Sequence, residues 1–313
     1  MGLTIGVDIG GTKILAGVVD ETGTILDRVK IATPRDSAQT AAAIAQAAQT
    51  VRKDYPVEAV GLGAAGFISA DRATVLVAPN MSWHDEPLKA RIEALIDLPV
   101  VVENDANAAA WGEARFGAGA ARPNVVLYTI GTGVGGGIVL NGELFRGHFG
   151  IGAEFGHYRV VPDGRPCGCG QKGCLEQYAS GSALTRFVKE RAKNDPERAQ
   201  VLLSVGNGTA DAIEGVHITE AARKGDPIAL EGFAEIGRWL GQSMADLASI
   251  LDPEVFVVAG GVSDAGEILT APTREHYHSA LAGTGDRPFA EVVTATLGPD
   301  AGLIGAADLA RHR

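Results

Sequence analysis

Short apolar runs punctuated by glycine and polar turn residues organise the first third of the chain. In TIGVDIGGTKILAGVVDETGTILDRVKIAT (residues 4–33), a Gly-Gly pair and a Thr-Gly pair separate three β-rich segments, which predicts an antiparallel meander. The alanine-rich stretch AQTAAAIAQAAQTVRKDY (38–55) has high helix propensity, and EAVGLGAAGFI (58–68) reads as a buried strand entering a glycine-bearing loop. LPVVVENDANAAAWGEARF (98–116) reads as strand then helix, with Asn104-Asp105 at the junction, because helix starts favour Asn and Asp. NVVLYTIGTGVGGGIVLNGELFRG (124–147) repeats the strand, glycine turn, strand plan of the N-terminus, so duplication of one α/β unit is the economical reading. From about Glu154 to Glu176 the chain is irregular. Beyond it, GSALTRFVKERAKN (181–194), EGFAEIGRWLGQSMADLASIL (231–251) and AGLIGAADLARHR (301–313) have helical apolar spacing, and VFVVAGGVS (255–263) is a strand ending in Gly-Gly.

Length and composition narrow the class. At 313 residues the chain exceeds one ordinary hydrophobic core, so two domains are expected. No apolar run reaches the roughly 18 residues that a membrane helix needs, and the first residues lack a basic segment and cleavage site, so a cytoplasmic protein without membrane contact is expected. The net charge of −11, with no basic cluster, disfavours nucleic acid as a partner. The 42 glycines are nearly double the usual share of about 7% and fall in discrete clusters, which suggests backbone approaching a ligand closely.

Four of these clusters carry chemistry. Asp8-Ile9-Gly10-Gly11-Thr12-Lys13 places a carboxylate before two glycines whose amides are open to phosphate oxygens; taken alone, such a pair is usually only a hairpin turn. Gly131-Thr132-Gly133-Val134-Gly135-Gly136-Gly137 satisfies the dinucleotide fingerprint G-x-G-x-x-G, yet a strand with an Asn-Gly turn follows where that fingerprint needs a helix, so a phosphate-holding hairpin fits better. Ala259-Gly260-Gly261-Val262-Ser263 is either a tight turn or a nucleotide contact. In Glu103-Asn104-Asp105-Ala106-Asn107, Asp105 can accept a hydroxyl proton while Asn104 fixes a substrate, with a simple helix cap as the alternative. The helix dipole is expected to keep Asp105 ionised.

All three cysteines lie in HYRVVPDGRPCGCGQKGC (157–174): His157, nine residues, Cys167, one residue, Cys169, four residues, Cys174. Three thiolates and an imidazole complete a tetrahedral zinc shell, and an odd cysteine count disfavours disulfides. A closed Cys3His shell leaves no position for activating water, so such a zinc is structural. Glu154 and Glu176 flank it closely in sequence.

With DIGGTK, ENDANA, GTGxGGG, EFGH and CGCGxxGCxE in this order, the chain resembles the ROK family of repressors, open reading frames and kinases along its whole length, and within it the actinobacterial ATP-dependent glucose kinases. The resemblance implies an actin-like ATPase fold of the ribonuclease H-like, hexokinase type: two α/β domains closing on a cleft, with duplicated β-meander/α units and a zinc-bound loop. The expected domains are 1–110 joined by a C-terminal helix over 300–313, and 111–299 containing the zinc loop 157–174. The implied activity is transfer of the ATP γ-phosphoryl group to the glucose 6-hydroxyl, with Asp105 as base and Mg²⁺ accompanying ATP. The implied sugar contacts are Gly66, Asn80, Asn104, Asp105, Glu154, His157 and Glu176. The implied nucleotide contacts are Asp8, Gly10, Gly11, Thr12, Lys13, Gly131, Thr132, Gly133, Gly135, Gly136, Gly260 and Gly261. His157 serves twice, as zinc ligand and, through its other ring nitrogen, as sugar contact. The resemblance also implies a homodimer or tetramer. It leaves open another hexose or N-acetylhexosamine as acceptor and polyphosphate as donor. A sugar-responsive regulator is disfavoured by the lack of room for a helix-turn-helix before residue 8, and an actin-like filament protein by the zinc loop.

Overall fold

The computed structural model describes residues 2–34, 36–78, 81, 83–283 and 287–312. In chain order the elements are β1 (Leu3–Ile9), β2 (Lys13–Val19), β3 (Ile25–Ala32), α1 (Ser37–Arg52), β4 (Val57–Ala64), β5 (Phe67–Ile68), β6 (Val75–Ala78), β7 (Trp83–Glu86), α2 (Leu88–Ile96), β8 (Val100–Asn104) and α3 (Asp105–Phe116). There follow β9 (Val125–Ile130), β10 (Val134–Leu140), β11 (Glu143–Leu144), α4 (Glu176–Ala179), α5 (Gly181–Asn194), α6 (Gln200–Val205), α7 (Gly215–Arg223), α8 (Pro227–Leu251), β12 (Val255–Ala259), α9 (Glu267–Ala280), β13 (Glu291–Thr294) and α10 (Ala301–Arg311). Packing divides the chain into two compact units. The first comprises Met1–Leu127, Gly136–Ala153 and Thr296–Arg313, the second Tyr128–Gly135 and Glu154–Ala295.

One five-stranded sheet has the order β3-β2-β1-β4-β8, with β1, β2 and β3 antiparallel and β1, β4 and β8 parallel. The other runs β11-β10-β9-β12-β13. Both read third, second, first, fourth, fifth in their own strand succession, so the duplicated meander expected from the glycine spacing is present. Leu140 pairs with Glu143 across Asn141-Gly142, both at positive φ (53° and 79°), as a two-residue hairpin of the primed type requires. A strand, not a helix, therefore follows the glycines of 131–137, and the dinucleotide fingerprint is a false match.

In the first unit the sheet is apolar on both faces because helices cover both. Ile5, Val7, Ile9, Ile14 and Leu62 join Ile44 of α1 and Leu88 and Ile92 of α2 in one fully buried cluster. On the opposite face Val19 packs with Leu303, Ile304 and Ala307 of α10. That helix lies unusually close to the strands: a Cβ on Gly61 would sit 1.8 Å from the Ala306 carbonyl oxygen, and one on Gly6 would sit 1.9 Å from that of Leu303. Two buried carboxylates tie α10 to α3. Glu113 accepts from the amides of Thr296 (3.2 Å) and Leu297 (2.7 Å), and Asp308 accepts from the Trp111 indole (2.8 Å) and pairs with Arg311 (2.6 Å).

In the second unit α8 is the long central helix, 25 residues starting at Pro227 behind an Asp226 cap, with an apolar stripe from Ile228 through Phe233, Ile236, Leu240 and Met244 to Ala248. α5 starts at a Ser180 cap that accepts the Ala183 amide at 3.1 Å. No helix among the described residues is long and apolar enough to cross a membrane. Since no side chain fits between α10 and the sheet at Gly61, Gly61→Ala should cost about 1–3 kcal/mol and lower the urea midpoint. Gly215→Ala, where nothing lies within 4 Å of the added methyl, should leave the midpoint unchanged or slightly raised.

Candidate active site

The junction of β8 and α3 presents Asn104 and Asp105. Asn104 is the helix N-cap, its Oδ1 accepting the Asn107 amide at 3.0 Å, and its Nδ2 donates to the Gly66 carbonyl at 3.1 Å. It is thus both a cap and a tie to the loop after β4. Gly66 has φ 131°, and a Cβ there would meet the Val77 carbonyl oxygen at 2.4 Å, so only glycine brings this carbonyl to Asn104. Asp105 Oδ1 accepts the Ala106 amide at 2.9 Å.

Beneath this junction lies Glu103, 1% exposed, which the sequence motif included without a role. Its Oε1 accepts from the Asn104 amide (2.9 Å) and Asn107 Nδ2 (3.2 Å), and its Oε2 pairs with Arg146 (2.7 Å) and Arg72 (3.3 Å). Arg146 also donates to the carbonyls of Ser69 and Ala70 at 2.9 and 2.8 Å. One arginine therefore anchors both the strand that ends at Asn104 and the loop that presents Gly66. No sequence signal marks Arg146; it lies 43 positions from Glu103, just after β11.

Burial raises the Asp105 carboxyl above the usual carboxylate range, outweighing the amide bonds from Ala106 and from Asp105 itself. Burial thus opposes the helix-terminus amides at this carboxyl and outweighs them in direction. Asp8, at the end of β1, is pushed up to about 6, first by burial and then by the Asp105 charge, with Lys13 acting in the opposite direction. Asp8 and Asp105 are thus electrostatically coupled neighbours. Between β1 and β2 the Gly10-Gly11-Thr12 turn is closed by Gly10 N–H to the Lys13 carbonyl at 3.0 Å, and Thr33 Oγ1 donates to the Gly10 carbonyl at 2.7 Å. Gly11, Thr12 and Lys13 are exposed.

In the second unit the four predicted metal ligands converge. Ligand atoms of His157, Cys167, Cys169 and Cys174 all lie within 4.8 Å of one another. Cys169 and Cys174 sulfurs are 3.7 Å apart and Cys167 Sγ is 3.6 Å from His157 Nδ1. Ligands about 2.3 Å (sulfur) and 2.1 Å (nitrogen) from a shared tetrahedral zinc would be separated by roughly 3.8 and 3.6 Å. None of the cysteines is in a disulfide. Nδ1 faces the thiols, which leaves Nε2 to another partner. The shell is bracketed by half-buried Glu154, whose carbonyl accepts the His157 amide at 3.0 Å, and by Glu176 at the start of α4.

The same unit holds a cavity of about 1340 Å³ that brings together Gly131 and Thr132 of one glycine cluster with Gly261 of another. The N-terminal end of α5 opens onto it through Gly181 and Ser182, and the Gly181 amide donates to the Gly131 carbonyl at 2.8 Å. A helix N-terminus among glycine turns is an anion site. Arg186, Lys189, Lys193 and Arg223 add positive charge to the lining. The first three lie at i, i+3 and i+7 on α5, a polar face that in sequence reads as solvated. Gly133, Gly135 and Gly136 belong to the same turn and strand as Gly131, and Gly260, at φ 87°, ends β12 beside Gly261. Asn80 lies outside the described residues.

The raised Asp8 carboxyl has a consequence for stability. Its folded-state value, about 6, exceeds the ordinary 3.8, so between them the folded chain holds more protons than the unfolded one. The stabilisation is full below the lower value and is lost as pH rises through the upper. In nucleotide-free, magnesium-free protein, Asp8→Asn should therefore gain in urea midpoint relative to the parent between pH 4 and pH 7; a pH-independent difference would contradict the shift.

Comparison with known proteins identifies the family. The ROK family pattern matches residues 4–313. The chain is 57% identical over 312 residues to a glucokinase of Streptomyces coelicolor, covering 100% of this chain and 98% of that protein. It is 39% identical over 318 residues to a glucokinase of Halalkalibacterium halodurans, covering 99% and 95%. A crystal structure of a ROK family glucokinase from Streptomyces griseus in complex with glucose and AMPPNP superposes with a TM-score of 0.91 at 58% identity, covering 100% of both chains. The chain belongs to the ROK family.

Proposed function

We infer that this protein transfers the γ-phosphoryl group of ATP to glucose, at the 6-hydroxyl. Asp105 carries the reading: it opens α3 directly after Asn104, whose amide the buried Glu103 carboxylate accepts, and burial raises its carboxyl, which favours proton acceptance. The relatives named above are glucokinases, and the Streptomyces griseus structure holds both glucose and a nucleotide.

In this reading Asp105 accepts the proton of the sugar hydroxyl as it attacks phosphorus. A loose phosphoryl-transfer transition state asks for position more than for base strength, and the Asn104–Gly66 bond and the Glu103 clamp supply that position. Gly66, Asn104, Glu154, His157 Nε2 and Glu176 hold the other sugar hydroxyls, with Asn80 as a further expected contact. The nucleotide lies in the second-unit cavity, its phosphates at Gly131–Gly136 and the α5 N-terminus, its nucleoside near Gly260 and Gly261. The turn at Gly10–Lys13 also meets the phosphates. Asp8 oxygens suit the hard Mg²⁺ that accompanies ATP, and that ion would neutralise charge on the transferring phosphoryl group while Asp105 stays free as base.

His157, Cys167, Cys169 and Cys174 would hold zinc with all four positions filled, so the ion orders the wall that carries Glu154, His157 and Glu176 and activates no water. Free thiols in a metal-ligand arrangement suit a reducing compartment, and the reading places the protein in the cytoplasm.

Asp105→Ala should reduce kcat about 10²–10⁴-fold while calorimetric glucose affinity stays near that of the parent; near-normal kcat would remove Asp105 from the role of base. A coupled assay across a hexose panel, with ATP and with polyphosphate as donors, tests the acceptor and donor together. For the metal, Cys169→Ser should lose zinc, measured by atomic absorption, along with activity. A fully active, zinc-free Cys169→Ser protein would refute the structural zinc.

A further inference from the structure

Glu176 makes contacts that a sugar ligand alone does not need. Its Oε2 accepts the Val134 amide at 3.2 Å, its Oε1 lies 3.7 Å from Cys167 Sγ, and its own amide donates to the Gly156 carbonyl at 2.9 Å. The neighbouring Gly133 leaves room for it: a Cβ there would be 2.2 Å from Glu176 Oε2. Val134 belongs to the glycine hairpin whose Gly131 and Thr132 line the large cavity. The hairpin is braced from the other side by the Gly131 carbonyl accepting the Gly181 amide, and internally by the Gly131 amide donating to the Gly133 carbonyl at 3.0 Å. A carboxylate thus sits on one amide of the loop expected to receive phosphate oxygens.

Such a contact acts in two ways on an incoming phosphate. It ties down one N–H of the hairpin whose Gly131 and Thr132 line the cavity, and it sets a negative group near the negative oxygens of the donor. Sugar hydroxyls are donors that compete for the same carboxylate, and a charge-assisted bond to a hydroxyl is shorter and stronger than the 3.2 Å contact to the Val134 amide.

We propose that Glu176 is a positioning residue for the donor hairpin: without sugar its carboxylate holds the Val134 amide and opposes phosphate, and sugar binding draws it away, so that nucleotide affinity rises when sugar is bound. The proposal rests on the glucose-phosphorylating reading, which supplies the sugar contact of Glu176. By linkage the nucleotide raises sugar affinity by the same factor. The device favours nucleotide capture only once an acceptor is present, which limits unproductive hydrolysis.

The test uses zinc-loaded protein, with Mg²⁺-AMPPNP as donor probe and isothermal titration calorimetry. Glucose should tighten AMPPNP binding to the parent roughly fivefold or more. Glu176→Ala should bind AMPPNP without sugar more tightly than the parent by a similar factor. If the alanine variant does not fold, Glu176→Gln, which removes the charge, should show the gain in part. In the parent, glucose alone should speed hydrogen exchange at the Val134 amide. A parent that binds glucose and AMPPNP while Glu176→Ala keeps or loses sugar-free nucleotide affinity overturns the proposal alone, as does Val134 exchange that ignores glucose. A parent that binds neither molecule overturns the phosphoryl-transfer reading and this proposal with it.

Discussion

A buried carboxylate held between two guanidinium groups governs the acceptor side of this protein. Glu103 is almost fully enclosed, and a charge in that position persists only when paired and hydrogen-bonded. Arg146, Arg72, the Asn104 amide and the Asn107 side chain meet that requirement together. Because the carboxylate adjoins the β8–α3 junction, satisfying it fixes the backbone that aims Asn104 and Asp105. Because Arg146 also grips the Ser69 and Ala70 carbonyls, the loop carrying Gly66 is anchored to the same charge.

The second unit rests on a different principle, the exposure of backbone amides by residues without side chains. Glycine turns from separate parts of the second unit, together with the start of α5, line one cavity. The cysteine and histidine shell stands next to this hairpin through Glu176, so the segment that looks like a stability device is packed against a loop that borders the cavity. Zinc in that shell would act on function by holding a wall in place, since no coordination position is left for chemistry.

Much of this was legible beforehand because it is written in local patterns. The meanders, the Asn141-Gly142 hairpin and the helices over α3, α5, α8 and α10 follow from turn chemistry and apolar spacing within single segments. The metal shell was legible because its four ligands lie within one short stretch. The upward pull of burial on the Asp105 carboxyl was not legible, since a helix start argues for ionisation and only the degree of enclosure reveals the opposing desolvation. Arg146 and the cationic face of α5 were missed because an arginine in a loop and a polar helix face both look solvated until the fold supplies a neighbour.

The sequence by itself determined the repeated strand plan, the glycine turns, the capped helices and the Cys3His ligand set, each a property of residues near one another along the chain. Tertiary structure alone decided which of these meet. It brought α10 onto Gly6 and Gly61, Asp8 beside Asp105, Arg146 onto Glu103 and Glu176 onto the Val134 amide. Those contacts join residues distant in sequence, and their energies come from burial and pairing that no local pattern encodes.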